Sequence, residues 1–232
     1  MARLEDISVV IPVREGSSRV LDKIYLPFGE GQNLIEWKVS QLLQVHRPDR
    51  IFLSSNAPRV VRIAKDMGVM FLPRRDFLCD GHKASFSEVI TGIVSDVPTP
   101  YFAWVTVVVP LMRPAEYLDG FESFLEHVVR RRTHDSLVTV NSLKDYLWGA
   151  DAPLNYRADR HHTISQELPH VYRVTNGLYM RTKEDTLRDG YFLGPRPYMH
   201  TVGKLSGLDL DEQEDYEMAL ALKSLYDHYD EA

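Results

Sequence analysis

The sequence has little cysteine, no long apolar run and no excess of positive charge. Its single cysteine, Cys79, excludes an internal disulfide and a cysteine-ligated metal cluster, and suits a reducing compartment such as the cytoplasm. No apolar stretch approaches the ~20 residues of a membrane-spanning helix. The run Ile7–Ile11 is too short for a signal peptide and meets Pro12 and Arg14. Because nucleic-acid-binding proteins usually carry a basic stripe and the net charge here is −6, we expect neither a membrane nor a nucleic acid as partner.

The 232 residues instead show an alternation of strand-like and helix-like segments. Short apolar runs predict strands at residues 6–13, 50–54, 69–72, 101–109, 136–140 and 174–180. Apolar residues at helical spacing predict helices at 34–45, 57–67, 86–94, 114–131 and 211–226. This order predicts a single α/β domain, residues 1–232, with a mixed, mostly parallel sheet and helices on both faces. Ligands of such sheets bind beyond the carboxyl ends of the strands, so the loops at those ends are the candidate functional regions.

The loop after the first strand concentrates positive charge in an otherwise acidic protein. Arg14, Arg19 and Lys23 fall within ten residues of one another. Gly16 lets the backbone turn its N–H groups toward an anion, and the two serines after it add hydroxyl donors. The loop lacks the Gly-Lys-Ser/Thr ending of a P-loop and the three glycines of a dinucleotide fingerprint. A phosphate-binding loop and a solvated turn with ordinary surface charges are both compatible with these residues.

Two aspartates near the C-terminus alternate with leucine in the segment Leu208–Asp211. An extended backbone directs Asp209 and Asp211 to the same side. Two carboxylates suit Mg²⁺, which takes one or two of them together with phosphate oxygens and water. Asp211 followed by Glu214 also fits a capping box at the start of the last helix. The residues alone leave both interpretations open.

Five short motifs, in order from residue 7 to about residue 222, resemble those of one family. The first consists of Pro12, Arg14, Gly16, Ser17, Arg19 and Lys23. The others are Asn33–Trp37, Ser54–Asn56, the set Gln166, Pro169, Tyr172 and Asn176–Gly177, and Leu208–Asp215. Their order and spacing over nearly the whole chain resemble the CMP-sugar synthetases, which comprise N-acylneuraminate cytidylyltransferases and CMP-Kdo synthetases.

The resemblance implies a Rossmann-like nucleotidyltransferase fold and an enzyme that transfers CMP from CTP to an acidic sugar of the sialic acid or Kdo type. Its product would serve cell-surface polysaccharide biosynthesis. It implies Mg²⁺ as cofactor, held by Asp209 and Asp211, and catalytic roles for Arg14, Lys23 and Asp211. The nucleotide-binding residues that it implies are Pro12, Arg14, Gly16, Ser17, Ser18, Arg19, Lys23, Asn56, Arg74 and Arg75. The sugar-binding residues are Gln166, Tyr172 and Asn176.

A segment without periodicity, residues 143–172, carries aromatics, prolines and charges. Its side chains would form an exposed apolar patch of the kind that usually marks an interface, made by Tyr146, Leu147, Trp148, Leu154 and Tyr156. The resemblance implies a homodimer whose projecting arms reach the partner's sugar pocket. We therefore expect a twofold dimer that buries this arm.

The sequence departs from the family pattern at the end of the predicted strand 101–109, where Val108 and Val109 replace a Thr-Ser pair. This departure leaves open a cytidylyltransferase acting on a non-sugar phosphate or phosphonate acceptor. A nucleotide-sugar glycosyltransferase is a further alternative, although that class often carries its Asp-x-Asp pair after a central strand and not near the C-terminus. A non-catalytic nucleotide-binding subunit is the third alternative.

Several other polar residues have simpler interpretations. Arg74 and Arg75 are as compatible with a solvated pair as with nucleotide binding, and the sequence does not choose between them. His161–His162 lacks a third metal ligand, so we predict exposed histidines in the arm. Cys79 has no adjacent base, so we predict a buried small residue and not a nucleophile. If Lys23 binds the triphosphate and is not an ordinary surface charge, Lys23→Ala should strongly weaken CTP use and barely change the melting temperature.

Overall fold

A computed structural model describes residues 2–16, 20, 22–80 and 83–230, with side chains described as far as residue 228. Seven strands form one sheet: β1 (Ile7–Pro12), β2 (Ile51–Ser55), β3 (Met70–Pro73), β4 (Tyr101–Val105), β5 (Ser136–Leu143), β6 (Val171–Thr182) and β7 (Pro197–Thr201). Their order across the sheet is β3-β2-β1-β4-β6-β5-β7. β6 runs antiparallel to both neighbours, while the other neighbouring pairs are parallel. The predicted mixed, mostly parallel sheet is confirmed.

The described residues form seven α-helices, of which the last follows the final strand: α1 (Leu34–Leu43), α2 (Pro58–Asp66), α3 (Asp76–Cys79), α4 (Phe86–Val94), α5 (Pro114–Phe124), α6 (Lys183–Asp189) and α7 (Gln213–Asp230). α5 continues as a π-helical segment, Leu125–Arg130. A capping box fixes the start of α1: the Asn33 side chain accepts hydrogen bonds from two backbone N–H groups, and Glu36 accepts one from the Asn33 N–H. Among the residues that the structure describes, no helix is both long and apolar enough to cross a membrane.

The alternation of side chains along β1 divides the core between the two faces of the sheet. Ile7, Val9 and Ile11 pack with apolar residues of α1, α2 and α5 on one face. Val10 packs with residues of α4 on the other face. A third apolar cluster joins α7 to the start of α1 through Phe28, Leu34 and Tyr226, among others. Helices therefore cover both faces, as the sequence predicts, and leave the carboxyl ends of the strands open.

Four elements differ from the sequence-based expectations. β4 ends at Val105, four residues before the end of the apolar run, because residues 106–109 turn away from the sheet. α3, α6 and the edge strand β7 were not predicted at all. α6 has no apolar periodicity and is defined by its ends, where the Thr182 side chain accepts a hydrogen bond from the Asp185 N–H and Gly190 has φ +73°.

The segment between β5 and β6, residues 144–170, is irregular, and most of its side chains are exposed. The rings of Tyr146, Tyr156 and His162 lie within 4.8 to 5.6 Å of one another. Trp148 and Leu154 are 57% and 69% exposed. The histidine pair 161–162 is exposed, as predicted. The boundaries of the predicted arm were slightly too wide, since β5 includes residue 143 and β6 begins at residue 171.

Candidate active site

A cleft of about 670 Å³ lies at the carboxyl ends of β1 and β4 and beside the middle of β6. It occupies the position at which ligands bind in open α/β sheets. It is lined by Pro12, Arg14, Arg74, Leu78, Ala84, Phe86, Val89, Trp104, Thr106, Val108, Asn176, Tyr179, Phe192, Asp209 and Asp211. Cations, carboxylates and aromatic rings therefore meet in one concave site, the combination expected of a pocket for a charged ligand with an apolar part.

The cationic side of the cleft is formed by two arginines. Arg14 is exposed and follows β1. Arg74 is buried, and its guanidinium donates hydrogen bonds to the Val13 carbonyl at 2.5 Å and to the Cys79 Sγ at 2.9 Å. These contacts fix Arg74 beside the loop that follows β1. A guanidinium fixed in this way suits the fork-like binding of phosphate oxygens.

The acidic side is formed by Asp209 and Asp211, which both line the cleft as the alternation predicts. Leu210 between them is buried, and its N–H donates to the Val108 carbonyl at 2.8 Å, which ties the segment to the end of β4. Burial raises the pKa of Asp209 above its ordinary value. A hydrogen bond from Asn176 lowers this pKa in part, while the negative charge of Asp211 raises it further. The Asp209 Oδ1 atom is buried and has no hydrogen-bond partner among the described residues.

Such an unpaired carboxylate oxygen fits a bound cation. In the described part of the chain, no group of three or more histidine, cysteine or carboxylate side chains forms a closed metal site. Two carboxylates suit Mg²⁺, which keeps several waters and completes its coordination with phosphate oxygens. Asp209 and Asp211 therefore fit the predicted cofactor, although the metal assignment itself stays a prediction.

Lys23 contacts the segment 209–211, which carries the two aspartates. It is buried, and its Nζ donates hydrogen bonds to the carbonyls of Leu210 and, at 3.3 Å, of Asp211. The ammonium lies 3.9 Å from the Asp211 Oδ1. This buried side chain joins the loop after β1 to the segment 209–211, so its loss should affect stability, contrary to the expectation that Lys23→Ala barely changes the melting temperature, while its predicted role in nucleotide binding stays a prediction.

The start of α7 is capped differently from the prediction. The Asp215 carboxylate accepts hydrogen bonds from the Asp211 N–H at 2.9 Å and from the Glu212 N–H at 2.8 Å. Glu214 was the expected partner, so the predicted capping box was displaced by one residue. Because Asp215 performs the capping, the Asp211 side chain can line the cleft.

Part of the cleft is lined by a cluster of aromatic rings, called here the aromatic wall. The Phe192 ring lies 4.2 Å from Tyr179 and 5.6 Å from both Trp104 and Phe86, measured between ring centroids. Buried Arg181 holds the chain just before Phe192, since it pairs with the Asp189 carboxylate and donates to the Tyr191 carbonyl at 2.8 Å. This wall can pack against an apolar or flat part of a ligand.

The site has relatives among known proteins. Residues 8–99 match a family model described as cytidylyltransferase. The N-acylneuraminate cytidylyltransferase of Streptococcus agalactiae serotype V is 25% identical over 220 residues, which make up 89% of this chain and 51% of that protein.

Two solved structures share the fold. CMP:2-keto-3-deoxy-manno-octonic acid synthetase, solved in complex with CTP, has a TM-score of 0.66 at 16% identity over 94% of this chain and 98% of that chain. The 4-diphosphocytidyl-2C-methyl-D-erythritol synthase of Anaerococcus prevotii has a TM-score of 0.62 at 14% identity, covering 95% and 98%. The chain is similar to the CMP-sugar synthetases. The resemblance drawn from the motifs is confirmed, and so is the nucleotidyltransferase fold.

This CMP-sugar synthetase-like chain spans about half the length of the curated relatives that it matches. The structure places several of the predicted site residues in the cleft, namely Pro12, Arg14, Arg74, Asn176, Asp209 and Asp211. Gly16 has φ +80°, the positive value expected of a backbone that turns toward an anion. Ser17, Ser18 and Arg19 lie outside the described residues, so their predicted contacts with nucleotide stay predictions.

Other predicted residues of the CMP-sugar synthetase-like site lie elsewhere. Arg75 is exposed and lines a separate depression with Ser95 and Asp96, so of the two neighbouring arginines it is Arg74 that faces the cleft. Asn56 donates a hydrogen bond to Asp76 at 2.9 Å and lines a neighbouring depression. Gln166 and Tyr172 also lie outside the cleft lining of their own chain.

Three features of the cleft were missed from the sequence. Trp104 lies inside β4, and only the assembled sheet determines that its side chain faces the cleft. Phe192 follows the unpredicted α6. Thr106 lines the cleft and donates a hydrogen bond to the Asn176 carbonyl at 2.7 Å. The sequence signal that could have indicated Phe192 is the pair of adjacent aromatic residues at 191–192, which an ordinary surface turn does not need. Cys79, predicted to be buried, is half-buried, and its Sγ accepts a hydrogen bond from the Arg74 guanidinium.

Proposed function

We propose that this protein transfers CMP from CTP to an acidic sugar of the sialic acid or Kdo type and releases pyrophosphate. The observation that carries the proposal is the cleft itself, which is lined by two arginines, Arg14 and Arg74, and by two carboxylates, Asp209 and Asp211. A polyphosphate needs cations, and a divalent ion that bridges its oxygens needs carboxylates. The cytidylyltransferase match over residues 8–99 supports cytosine as the base.

In the proposed reaction, an acceptor hydroxyl oxygen forms a bond to the α-phosphorus of CTP and the bond to the pyrophosphate oxygen breaks. The hydroxyl proton leaves to solvent. Arg14, Arg74 and the N–H groups of the loop around Gly16 bind and orient the triphosphate. Asp209 and Asp211 would hold Mg²⁺, which would neutralise charge on the phosphate oxygens. Catalysis then consists mainly of positioning and electrostatic stabilisation.

The acceptor would occupy the part of the cleft next to the aromatic wall. Asn176 lines this part, while Gln166 in the arm and Tyr172 at the start of β6 would reach it only from a partner. The proposal therefore includes a homodimer. It also includes a cytoplasmic location, a role in cell-surface polysaccharide biosynthesis and Mg²⁺ as cofactor.

The decisive experiment is a pyrophosphate-release assay with CTP, Mg²⁺ and a panel of acidic sugars and phosphonates, with mass spectrometry of the CMP conjugate. CTP should be used faster than UTP, ATP or GTP. Asp209→Asn and Asp211→Asn should each reduce turnover sharply, while the protein stays folded with a melting temperature close to that of the wild type. Preference for another nucleotide, or near-wild-type turnover of both variants at limiting Mg²⁺, would overturn the assignment.

A second candidate is a cytidylyltransferase for a non-sugar phosphate or phosphonate acceptor. The observation in its favour is Val108, which lines the cleft with an apolar side chain where the family pattern has a polar residue. CMP transfer to the phosphonates of the panel, with none to the sugars, would select this candidate.

A further inference from the structure

The pairing of β6 with β5 is irregular where β6 passes the cleft. Val138 of β5 pairs with Tyr179, but Val140, two residues on, pairs with Val174. Residues 175–178 therefore bulge opposite a single residue of β5. Within the bulge Asn176 has φ +57°, a conformation that few residues other than glycine adopt, although asparagine tolerates it. A strained residue held at a cleft invites a functional explanation.

Contacts on all sides hold Asn176 in this conformation. Its carbonyl accepts a hydrogen bond from the Thr106 hydroxyl at 2.7 Å. Its Nδ2 donates to the Asp209 Oδ2 at 2.6 Å, and its Oδ1 accepts from the Tyr179 hydroxyl at 2.5 Å. The backbone bulge thus serves to bring a carboxamide between Tyr179 and Asp209.

The chemistry of the three groups leaves one arrangement. An ionised carboxylate only accepts hydrogen bonds, so Asp209 must face the NH₂ group of Asn176. The Asn176 Oδ1 is then left to accept, and the Tyr179 hydroxyl must donate. The chain runs in one direction, from the Tyr179 hydroxyl through the Asn176 carboxamide to one oxygen of Asp209. The other oxygen of Asp209, Oδ1, is buried and has no partner among the residues described.

We propose that Asn176 and Tyr179 are positioning residues that hold the Asp209 carboxylate in one orientation, so that its unpaired Oδ1 is presented to a divalent cation. This inference rests on the proposed function. Hydrogen bonds to ligating carboxylates orient them and commonly change metal affinity about 10–100-fold when lost. Asn176 was expected to bind the sugar, but its Oδ1 and one N–H are already engaged, which leaves a single N–H for any acceptor.

The test measures Mn²⁺ binding, by electron paramagnetic resonance, to the full chain with saturating CTP and no acceptor. Tyr179→Phe keeps the ring of the aromatic wall and removes only the hydroxyl. Asn176→Gly keeps the positive φ and removes the carboxamide. Tyr198→Phe is the matched control, because its ring stacks on His127 at 4.3 Å, away from the cleft.

We expect Mn²⁺ to bind about 2- to 10-fold more weakly to Tyr179→Phe, the loss of one hydrogen bond, and about tenfold or more weakly to Asn176→Gly. Tyr198→Phe should match the wild type. In the background of Asp209→Asn, the effect of Tyr179→Phe should disappear, because both changes act through the same carboxylate. Circular dichroism confirms that each variant is folded, and Tyr179→Phe decides if Asn176→Gly is not.

The outcomes separate the two levels of the argument. If Tyr179→Phe and folded Asn176→Gly bind Mn²⁺ as the wild type does, and only the KM for the acceptor rises, the residues contact the acceptor and the positioning role is overturned. The proposed function would then stand. If the wild-type protein binds no Mn²⁺ with CTP, the proposed function fails and this inference fails with it.

Discussion

Two neighbouring residues, Arg74 and Arg75, differ in burial and in access to the cleft, although the sequence gives no reason to separate them. Arg74 is buried against the Val13 carbonyl and lines the cleft, while Arg75 is exposed on another surface. A charge-assisted hydrogen bond is worth roughly 1.5–3 kcal/mol, or on the order of 10- to 100-fold in affinity. Arg74→Ala should weaken CTP binding by about that factor, measured by calorimetry. Arg75→Ala, the matched control, should bind CTP as the wild type does; equal losses in both would refute the distinction.

His46 makes a prediction about pH. It is buried, and its Nε2 lies 2.9 Å from the Ile7 carbonyl. Burial lowers the pKa of His46 below its ordinary value of 6.5, and the carbonyl contact only partly opposes this effect. The unfolded chain therefore binds the proton more readily than the folded protein. The stability that the neutral ring contributes is present above about pH 6.5 and is lost as the pH falls through the lower pKa of the folded protein.

The measurement is the free energy of unfolding by urea, from about pH 8 down to about pH 5. One histidine contributes at most about 1.4 kcal/mol per pH unit. His46→Gln should flatten the acid side of the profile, since glutamine does not titrate and can still donate to the carbonyl. His200 is also buried with a pKa lowered by burial, so some slope should remain in that variant. An identical acid slope in both proteins would contradict the prediction.

At the scale of elements, Lys23 couples two segments that are 187 residues apart in sequence. Lys23→Ala leaves the carbonyls of Leu210 and Asp211 without their buried donor, which costs about 1–3 kcal/mol. We expect a loss of stability of that size in urea unfolding, together with weaker Mn²⁺ binding because the segment 209–211 loosens. Lys65→Ala, on the exposed face of α2, is the control and should do neither. A Lys23→Ala variant as stable as the wild type would refute this coupling between the two segments.

The elements that the sequence predicts are those with local patterns. β1, β2 and α2 have apolar runs or periodicity bounded by proline or glycine, and the structure places them within a residue or two of expectation. The end of β4 could not be predicted, because the apolar run continues to Val109. What ends the strand is tertiary: buried Lys38 donates to the Val109 carbonyl at 2.7 Å, and the Leu210 N–H takes the Val108 carbonyl.

The candidate site was predicted to the extent that it consists of short motifs. The charges after β1 and the Asp209–Asp211 pair could be read from the sequence, and most of those that the structure describes meet in the cleft. The aromatic wall could not be predicted, because Phe86, Trp104 and Phe192 are distant in sequence and come together only through the order of strands. The role of Asn176 also depended on the fold, since a bulge sets its direction.

For the whole molecule, the net charge is misleading as a guide to ligands. The chain carries −6 overall, yet the loop after β1 and the loop after β3 supply cations to one cleft. Because exposed charges beyond about 10 Å are largely screened at 0.1 M salt, the local arrangement decides what binds there. An acidic protein can therefore bind a polyphosphate without binding nucleic acid.

The arm between β5 and β6 makes the last prediction, which concerns assembly. Its exposed residues include Trp148 and Leu154, which are 57% and 69% exposed in the single chain, beside the cluster of Tyr146, Tyr156 and His162. Exposed apolar side chains that lie together usually mark an interface, because their burial contributes about 25 cal/mol for each Å² removed from water. We expect a dimer at micromolar concentration by analytical ultracentrifugation.

Trp148→Ala combined with Leu154→Asp should convert that dimer to monomer, because the first change removes apolar area and the second would bury a charge. Leu225→Asp is the matched control: Leu225 is 47% exposed on α7, outside the arm, so this variant should stay dimeric. Thermal melts at low protein concentration should show that the arm variant is still folded. If the dimer brings Gln166 of the arm and Tyr172 of β6 to the partner's cleft, the monomeric variant should keep its affinity for CTP and lose most of its turnover. A wild-type monomer, or an arm variant that dimerises normally, would rule out the arm as the interface.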